Sequence, residues 1–333
     1  MINPKFQLFS FILLLLCYTV NGQVNIKKSS MNSNPLICDV EQGICETPAT
    51  THSTEAINAQ TAGKPIKIIY FTDPICSSCW GIEPQLRKLK LEYGAYFDME
   101  YRMGGLLPSW DIYNSGGISK PSDVAHHWDE VSRHYDMPID GDVWLEDPLP
   151  SSYPPSIAFK AAQMQDPAKA VLFLRKLREL LFLQKKNITK WEYVEQAATA
   201  VGLDPIRLKT DYEGDANGLF QADLSLAQQL GVRGFPTLLW SDTAGNQGKV
   251  YGFKPYEEFE QAVLKLHPQA VKKEIDTSWE GLFGHYSTLT TKEFSVLSGR
   301  TRQDAETYLE QLFDQKHLKV IDTKNGRMWN REW

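Results

Sequence analysis

Cysteine is scarce in this chain. Five are spread over 333 residues, Cys17, Cys38, Cys45, Cys76 and Cys79, too few for a disulfide scaffold. The length is sufficient to bury a core without such staples. Charge of one sign is scarce as well. The net charge is -6, so electrostatics supplies no reason to expect nucleic acid or an anionic membrane as partner. No repeat of solenoid period is present. Long apolar runs are limited to Phe6 to Val20, too short for a membrane-spanning helix, and no membrane contact is expected of the mature form. What remains is 42% hydrophobic and 23% charged, the composition of a globular chain with one large domain or two to three small ones.

Residues 1–22 read as a secretory signal: Lys5, the apolar run to Val20, then Asn21-Gly22-Gln23 as a cleavage point. That predicts a periplasmic or secreted protein. A start at Met31 would remove the signal and leave a cytoplasmic one. Leu16 before Cys17 is too bulky for a lipid-attachment site. Residues 23–65 are polar and read as a flexible arm. Cys38 and Cys45 lie in it as C-x6-C, open to pairing with each other, to exchange with Cys76 and Cys79, to a zinc site that would need His52 and a further ligand, or to no fixed role.

The informative stretch begins at Ile66. Ile66 to Tyr70 reads as a buried strand. From Gly81 to Tyr93, Ile82, Leu86, Leu89 and Tyr93 recur at helical spacing. Cys76-Ser77-Ser78-Cys79 therefore sits where a strand becomes a helix. Unpaired N–H groups and the dipole there favour a thiolate on Cys76, and Cys79, one turn on, is placed to resolve a mixed disulfide. A C-x-x-C is also half a zinc site, but no second close pair exists and no metal is expected.

A strand near Tyr96 to Met103 ends at Gly104-Gly105 and completes a βαβ unit. Helices are then expected over 124–134, 157–165, 167–185, 189–201, 204–210 and 215–230. Met137 to Pro155 holds five prolines and cannot be one regular element; Ser156 is expected to cap the helix after it. In the Leu-rich helix, Leu174, Leu177 and Leu181 read as core, and Arg175, Lys176, Arg178, Lys185 and Lys186 as its solvated face. A hairpin over 235–253 and a helix over Tyr256 to Leu266 follow.

That element order carries a resemblance. Asp73-Pro74-Ile75-Cys76-Ser77-Ser78-Cys79-Trp80 resembles the active-site turn of the DsbA-type branch of the thioredoxin superfamily. Pro84 matches the proline that kinks its active-site helix, and Gly234-Phe235-Pro236-Thr237 its cis-proline loop. Pro74 to Trp80 with Glu83-Pro84, then Ser119 to Asp123, is similar to a bacterial subgroup that includes FrnE-like oxidoreductases and the Spx-binding adaptor of the ClpXP protease. The resemblance implies an α/β thioredoxin-like domain over 66–268 with a helical insertion at about 106–230. It implies roles as well: Cys76 as nucleophile, Cys79 as resolving thiol and Pro236 as the cis-proline. Phe235, Trp80 and Thr237 would meet substrate, the backbone of Phe235 by strand addition. Asp73 would accept a proton near Cys79, though Asp73-Pro74 is equally a turn. No cofactor is implied. Partners would be protein thiols and disulfides, or a client protein. Ser77-Ser78 brings no cation between the cysteines, so a less oxidising couple than that of DsbA is expected.

Residues 278–333 read as a small winged-helix-like module: a short helix Thr290 to Leu297, a longer one from Thr301 to Leu318, then a hairpin turning at Asn325-Gly326. Its charges balance, against DNA binding. A protein-docking surface with Trp329 and Trp333 as anchors is expected instead. Two functions follow: a thiol–disulfide oxidoreductase, or an adaptor that presents a client protein for regulated proteolysis.

Overall fold

The structure, a computed structural model, describes Cys45–Glu46 and residues 63–112 and 119–331. The expected signal at 1–22, Met31, Cys17, Cys38, most of the 23–65 arm and Trp333 lie outside the described residues.

The chain enters with a two-residue strand β1 (Cys45–Glu46). β2 (Ile66–Thr72) follows as a run of β-branched and aromatic residues, with all but Lys67 buried, as suits a strand covered on both faces. α1 (Ser77–Gly81) and α2 (Glu83–Tyr93) are separated at Ile82. Pro84, in the first turn of α2, has no N–H to continue the helix from Trp80. β3 (Phe97–Met103) runs parallel to β2.

The insertion holds α3 (Ser122–Tyr135), α4 (Val143–Glu146), α5 (Tyr153–Gln165), α6 (Pro167–Gln184), α7 (Trp191–Ala200), α8 (Pro205–Glu213) and α9 (Ala216–Gln229). Asp166 and Asp204 cap α6 and α8 through their side chains, each followed by proline at the first helical position, where a missing N–H costs nothing. The proline-rich stretch is more ordered than its composition suggests. It contains α4, and α5 starts at Tyr153 rather than after Ser156, because Pro154 and Pro155 fall in the first turn.

β4 (Gly234–Phe235), β5 (Thr237–Asp242) and β6 (Gln247–Tyr251) return to the sheet, followed by α10 (Tyr256–Leu266). The main sheet has the order β3-β2-β5-β6, with β5 antiparallel to both neighbours. β4 leaves this sheet and pairs antiparallel with β1.

Beyond residue 278 come α11 (Trp279–His285), β7 (Thr288–Thr290), α12 (Thr291–Ser298), α13 (Arg302–Asp314), β8 (Leu318–Thr323) and β9 (Gly326–Arg331). α11 and β7 were not expected from the sequence. β7 joins the hairpin to give a sheet of order β7-β9-β8. Trp329 is not a docking anchor. It is 1% exposed, packs with Leu289, Phe294 and Leu309, and donates its indole N–H to Thr291 Oγ1 at 2.9 Å.

The solvated face expected on α6 is largely absent. Arg175, Arg178 and Glu179 are buried. The tail covers this side of α6: Arg175 grips Glu293 of α12 with two N–H groups, at 2.8 and 3.0 Å, and Glu179 at 2.9 Å. Glu293 also closes the capping box of α12 with Thr290. Arg87 of α2 reaches the same carboxylate at 3.3 Å and the Thr288 carbonyl at 2.6 Å. Burial opposes ionisation of Glu293, and the Arg175 and Arg87 guanidinium groups outweigh it, holding the carboxyl below the usual glutamate range. Among the described residues, no helix is long and apolar enough to cross a membrane.

Candidate functional site

The site is built at the C-terminal end of β2, where three loops converge. The first is Asp73 to Cys76. Cys76 caps α1, its sulfur accepting the Cys79 N–H at 3.1 Å. Cys76 and Cys79 are joined as a disulfide with their Cα atoms 5.2 Å apart, and both are fully buried. The second loop follows β3: Gly104 N–H donates to the Thr72 carbonyl at 2.8 Å. The third carries Phe235-Pro236, whose peptide bond is cis. Since Phe71 stands opposite Thr237 in the sheet, Pro236 lies at the same end of β2 as the cysteines.

Asp73 ties these loops together. It is buried, and one carboxylate oxygen accepts the Ile75 N–H at 3.0 Å. The other accepts the Leu106 N–H at 2.8 Å and the Ser152 hydroxyl at 2.9 Å. Burial pushes its pKa up to about 6, against the lowering effect of those bonds and of Arg178. Arg178 spans the neighbourhood, donating to Thr72 Oγ1 at 2.6 Å, to the Asp73 carbonyl at 3.2 Å and to Glu83 at 2.7 Å. Asp73 is therefore both a turn former and a carboxyl able to hold a proton near neutrality.

The other expected site residues fall into two groups. Phe235 is at the groove, its ring packed so tightly over Gly104 that a Cβ there would lie 1.9 Å from the ring. Thr237 closes the loop from within, donating its hydroxyl to the Gly234 carbonyl at 2.7 Å. Trp80, expected to meet substrate, faces the insertion instead. It is fully buried, donates to the Pro138 carbonyl at 3.0 Å, stacks on Phe182, and lies under the Arg175 guanidinium at 4.3 Å. It has no surface left for a substrate. Between the cysteines, Ser78 shares a 2.9 Å hydrogen bond with Tyr135 of α3. The Tyr135 ring passes so close to Gly81 that a Cβ would meet it at 2.6 Å.

Ser152, Arg178 and Tyr135 carry no local signal in the sequence; only the folding of the insertion over β2 brings them here. β1 is the other residue pair that sequence reasoning placed elsewhere. It lies beside the cis-proline loop, Cys45 paired with Phe235 and Glu46 with Gly234. The Phe235 backbone is thus engaged in strand pairing with the chain's own arm.

Strand, cysteine pair, broken helix, strand, insertion and a cis-proline opposite the cysteines describe a thioredoxin-like redox fold. The family model described as thioredoxin matches residues 70–261. The ClpXP adapter protein SpxH of Halalkalibacterium halodurans is 34% identical over 304 residues, covering 90% of this chain and 98% of that protein. This chain is a DsbA-type member of the thioredoxin superfamily, in the SpxH adapter subgroup. SpxH of Shouchella clausii is 34% identical over 295 residues, with 88% of this chain and 95% of that protein covered. A solved structure from Nitrosomonas europaea, described as a candidate protein disulfide isomerase, matches in fold with a TM-score of 0.51 at 21% identity. It covers 61% of this chain and 96% of its own. The SpxH adapters thus match this chain over a larger share than that fold does.

Proposed function

We propose that the protein is an adaptor that binds a client protein and presents it to a ClpXP-type protease, with redox chemistry at Cys76–Cys79 secondary. The observation that carries this is the extent of the likeness to SpxH, 98% of that adapter's length. Burial supports it: neither cysteine has exposed surface in this state, so exchange with an outside disulfide first requires the groove to open. In this reading the groove between the Cys76 loop and Pro236 takes an extended client segment by strand addition. The insertion and the tail module supply further contact surface. Cys76 would be the attacking thiol, Cys79 the resolving one and Asp73 a proton acceptor, serving to set the state of the groove. A role beside a cytosolic protease goes with translation from Met31 rather than with export.

The test is reconstituted degradation of an Spx-type client by ClpXP, with wild type and with a Cys76→Ser/Cys79→Ser variant. The expected outcome is accelerated client loss with both proteins. An oxidoreductase would instead catalyse insulin reduction, and every effect of the wild type on the client would vanish in the double variant.

A further inference from the structure

The joint between tail and insertion encloses a cavity of about 460 Å³, a size common among small-molecule sites. Four parts of the chain line it: Arg87 of α2, one face of α6 from Leu172 to Glu179, Ala200 and Val201 at the end of α7, and the tail from Phe283 to Thr288. The lining is rich in donors. Arg87 has five N–H groups, yet among the described residues it makes one hydrogen bond, to the Thr288 carbonyl at 2.6 Å. Its side chain is only 9% exposed. Among the same residues the Lys176 ammonium also makes one hydrogen bond, to Glu179 at 3.3 Å. Glu179 is already engaged, accepting from Arg175, Lys176 and Thr288. The rest of the wall is apolar. It includes Val201, Phe283, the Tyr286 ring under Arg87 at 4.4 Å, and Leu172, which is 56% exposed. The ion-pair network beside the cavity does not cancel. Arg87, Arg175, Lys176 and Arg178 meet Glu83, Glu179 and Glu293, four cations against three carboxylates.

We propose that this cavity is a binding site for a small organic monocarboxylate with an apolar body. The carboxylate takes the spare N–H groups of Arg87 and Lys176, and a guanidinium presents them in a fork that a carboxylate fits. The apolar body lies against Leu172, Val201 and Phe283 and covers the exposed leucine. One negative charge balances the one excess cation of the network. A dianion such as phosphate would leave a net negative charge in a largely desolvated site, at a cost, and has nothing to set against the apolar wall. The ligand touches α2, α6, α7 and the tail at once, so its occupancy strengthens the joint that Arg175 and Glu293 hold. The site stands apart from the Cys76–Pro236 groove and does not depend on how that groove is used.

The test is calorimetric titration of the full chain with octanoate, followed by hydrogen exchange with and without it. Octanoate is expected to bind at one site per chain and to slow exchange in α6 and in residues 283–288. Two variants locate the site. Lys176→Met removes a cation at a half-buried position and is expected to weaken binding about tenfold. Ala200→Trp adds bulk at an exposed position of the lining and is expected to abolish it. Octan-1-ol, which lacks the charge, and inorganic phosphate, which lacks the apolar body, are each expected to bind at least about tenfold more weakly than octanoate. Octan-1-ol binding as tightly would show that the cations play no part, and phosphate binding as tightly that the apolar wall plays none. Either result overturns the proposal. So does an absence of saturable octanoate binding, or binding left unchanged by both substitutions.

Discussion

At the residue scale the site is governed by side chains that touch neither cysteine sulfur through any hydrogen bond of their own. Asp73 holds three loop groups with one carboxylate, and its raised pKa, about 6, has a consequence for stability. The folded state binds a proton more tightly than the unfolded state does. Stability from this group is fully present at acid pH, declines as pH rises, and levels off above the folded pKa. Unfolding by urea is expected to show about 1 kcal/mol less stability near pH 7.5 than near pH 5 from this residue. An Asp73→Asn chain should lose that slope. A wild-type curve flat across the interval would show that Asp73 is already ionised throughout. Gly104 gives a second test. A Cβ added at Gly104 would lie only 1.9 Å from a ring carbon of Phe235, so Gly104→Ala must displace the ring, at a cost of about 1–3 kcal/mol. Phe235→Ala should absorb much of that cost, so a double-mutant cycle in urea is expected to show coupling rather than additivity.

At the element scale the central contact is between α6 and α12. Arg175 and Glu293 are 118 residues apart in sequence and paired by two hydrogen bonds in a buried interface. Such a pair is poor evidence of net stabilisation, but removing one partner leaves a buried charge uncompensated, at about 3–5 kcal/mol. Glu293→Gln is expected to lower the urea midpoint accordingly and to raise hydrogen exchange in α12 and α6 together. Exchange confined to α12 would show the two helices to be independent. Glu293 and Glu179 both sit below the usual glutamate range, burial being outweighed by Arg175 in each. The sign here is opposite to that of Asp73. Their contribution is present above the ordinary glutamate pKa and is lost as pH falls through the depressed folded values. The urea midpoint is therefore expected to drop further below about pH 4.

At the scale of the whole molecule, the tail is an integral cover. Besides Glu293, Arg302 meets Asp136 at 3.0 Å, and Asn325 donates to Asp129 and to the Ile139 carbonyl, each at 2.8 Å. A chain ended after residue 277 would leave Arg175 and Arg87 without Glu293. It is expected to unfold at markedly lower temperature than the full chain, or to aggregate. An unchanged melting temperature would mean that the tail is an appendage.

The local sequence was enough to determine the redox core. The strand–C-x-x-C–helix turn and the capped starts of α6 and α8 depend on neighbours a few residues away. Propensity, capping and turn chemistry act at that range, so these features are legible without the fold. The Pro84 break and the cis-proline loop were legible only through the family resemblance. What only tertiary structure decided involves residues brought together from far apart. Arg175 and Arg178 look solvent-facing by helical periodicity, yet Glu293 and Glu83 turn them into buried partners. Trp80 and Trp329 look like contact surface, yet each spends its indole N–H inside. Cys45 lies in a polar arm with no pattern of its own, and only the folded chain sets it opposite Phe235 as a strand. A burial pattern reports how polar a side chain is; whether a charge can be buried depends on a counter-charge that only the folded chain supplies.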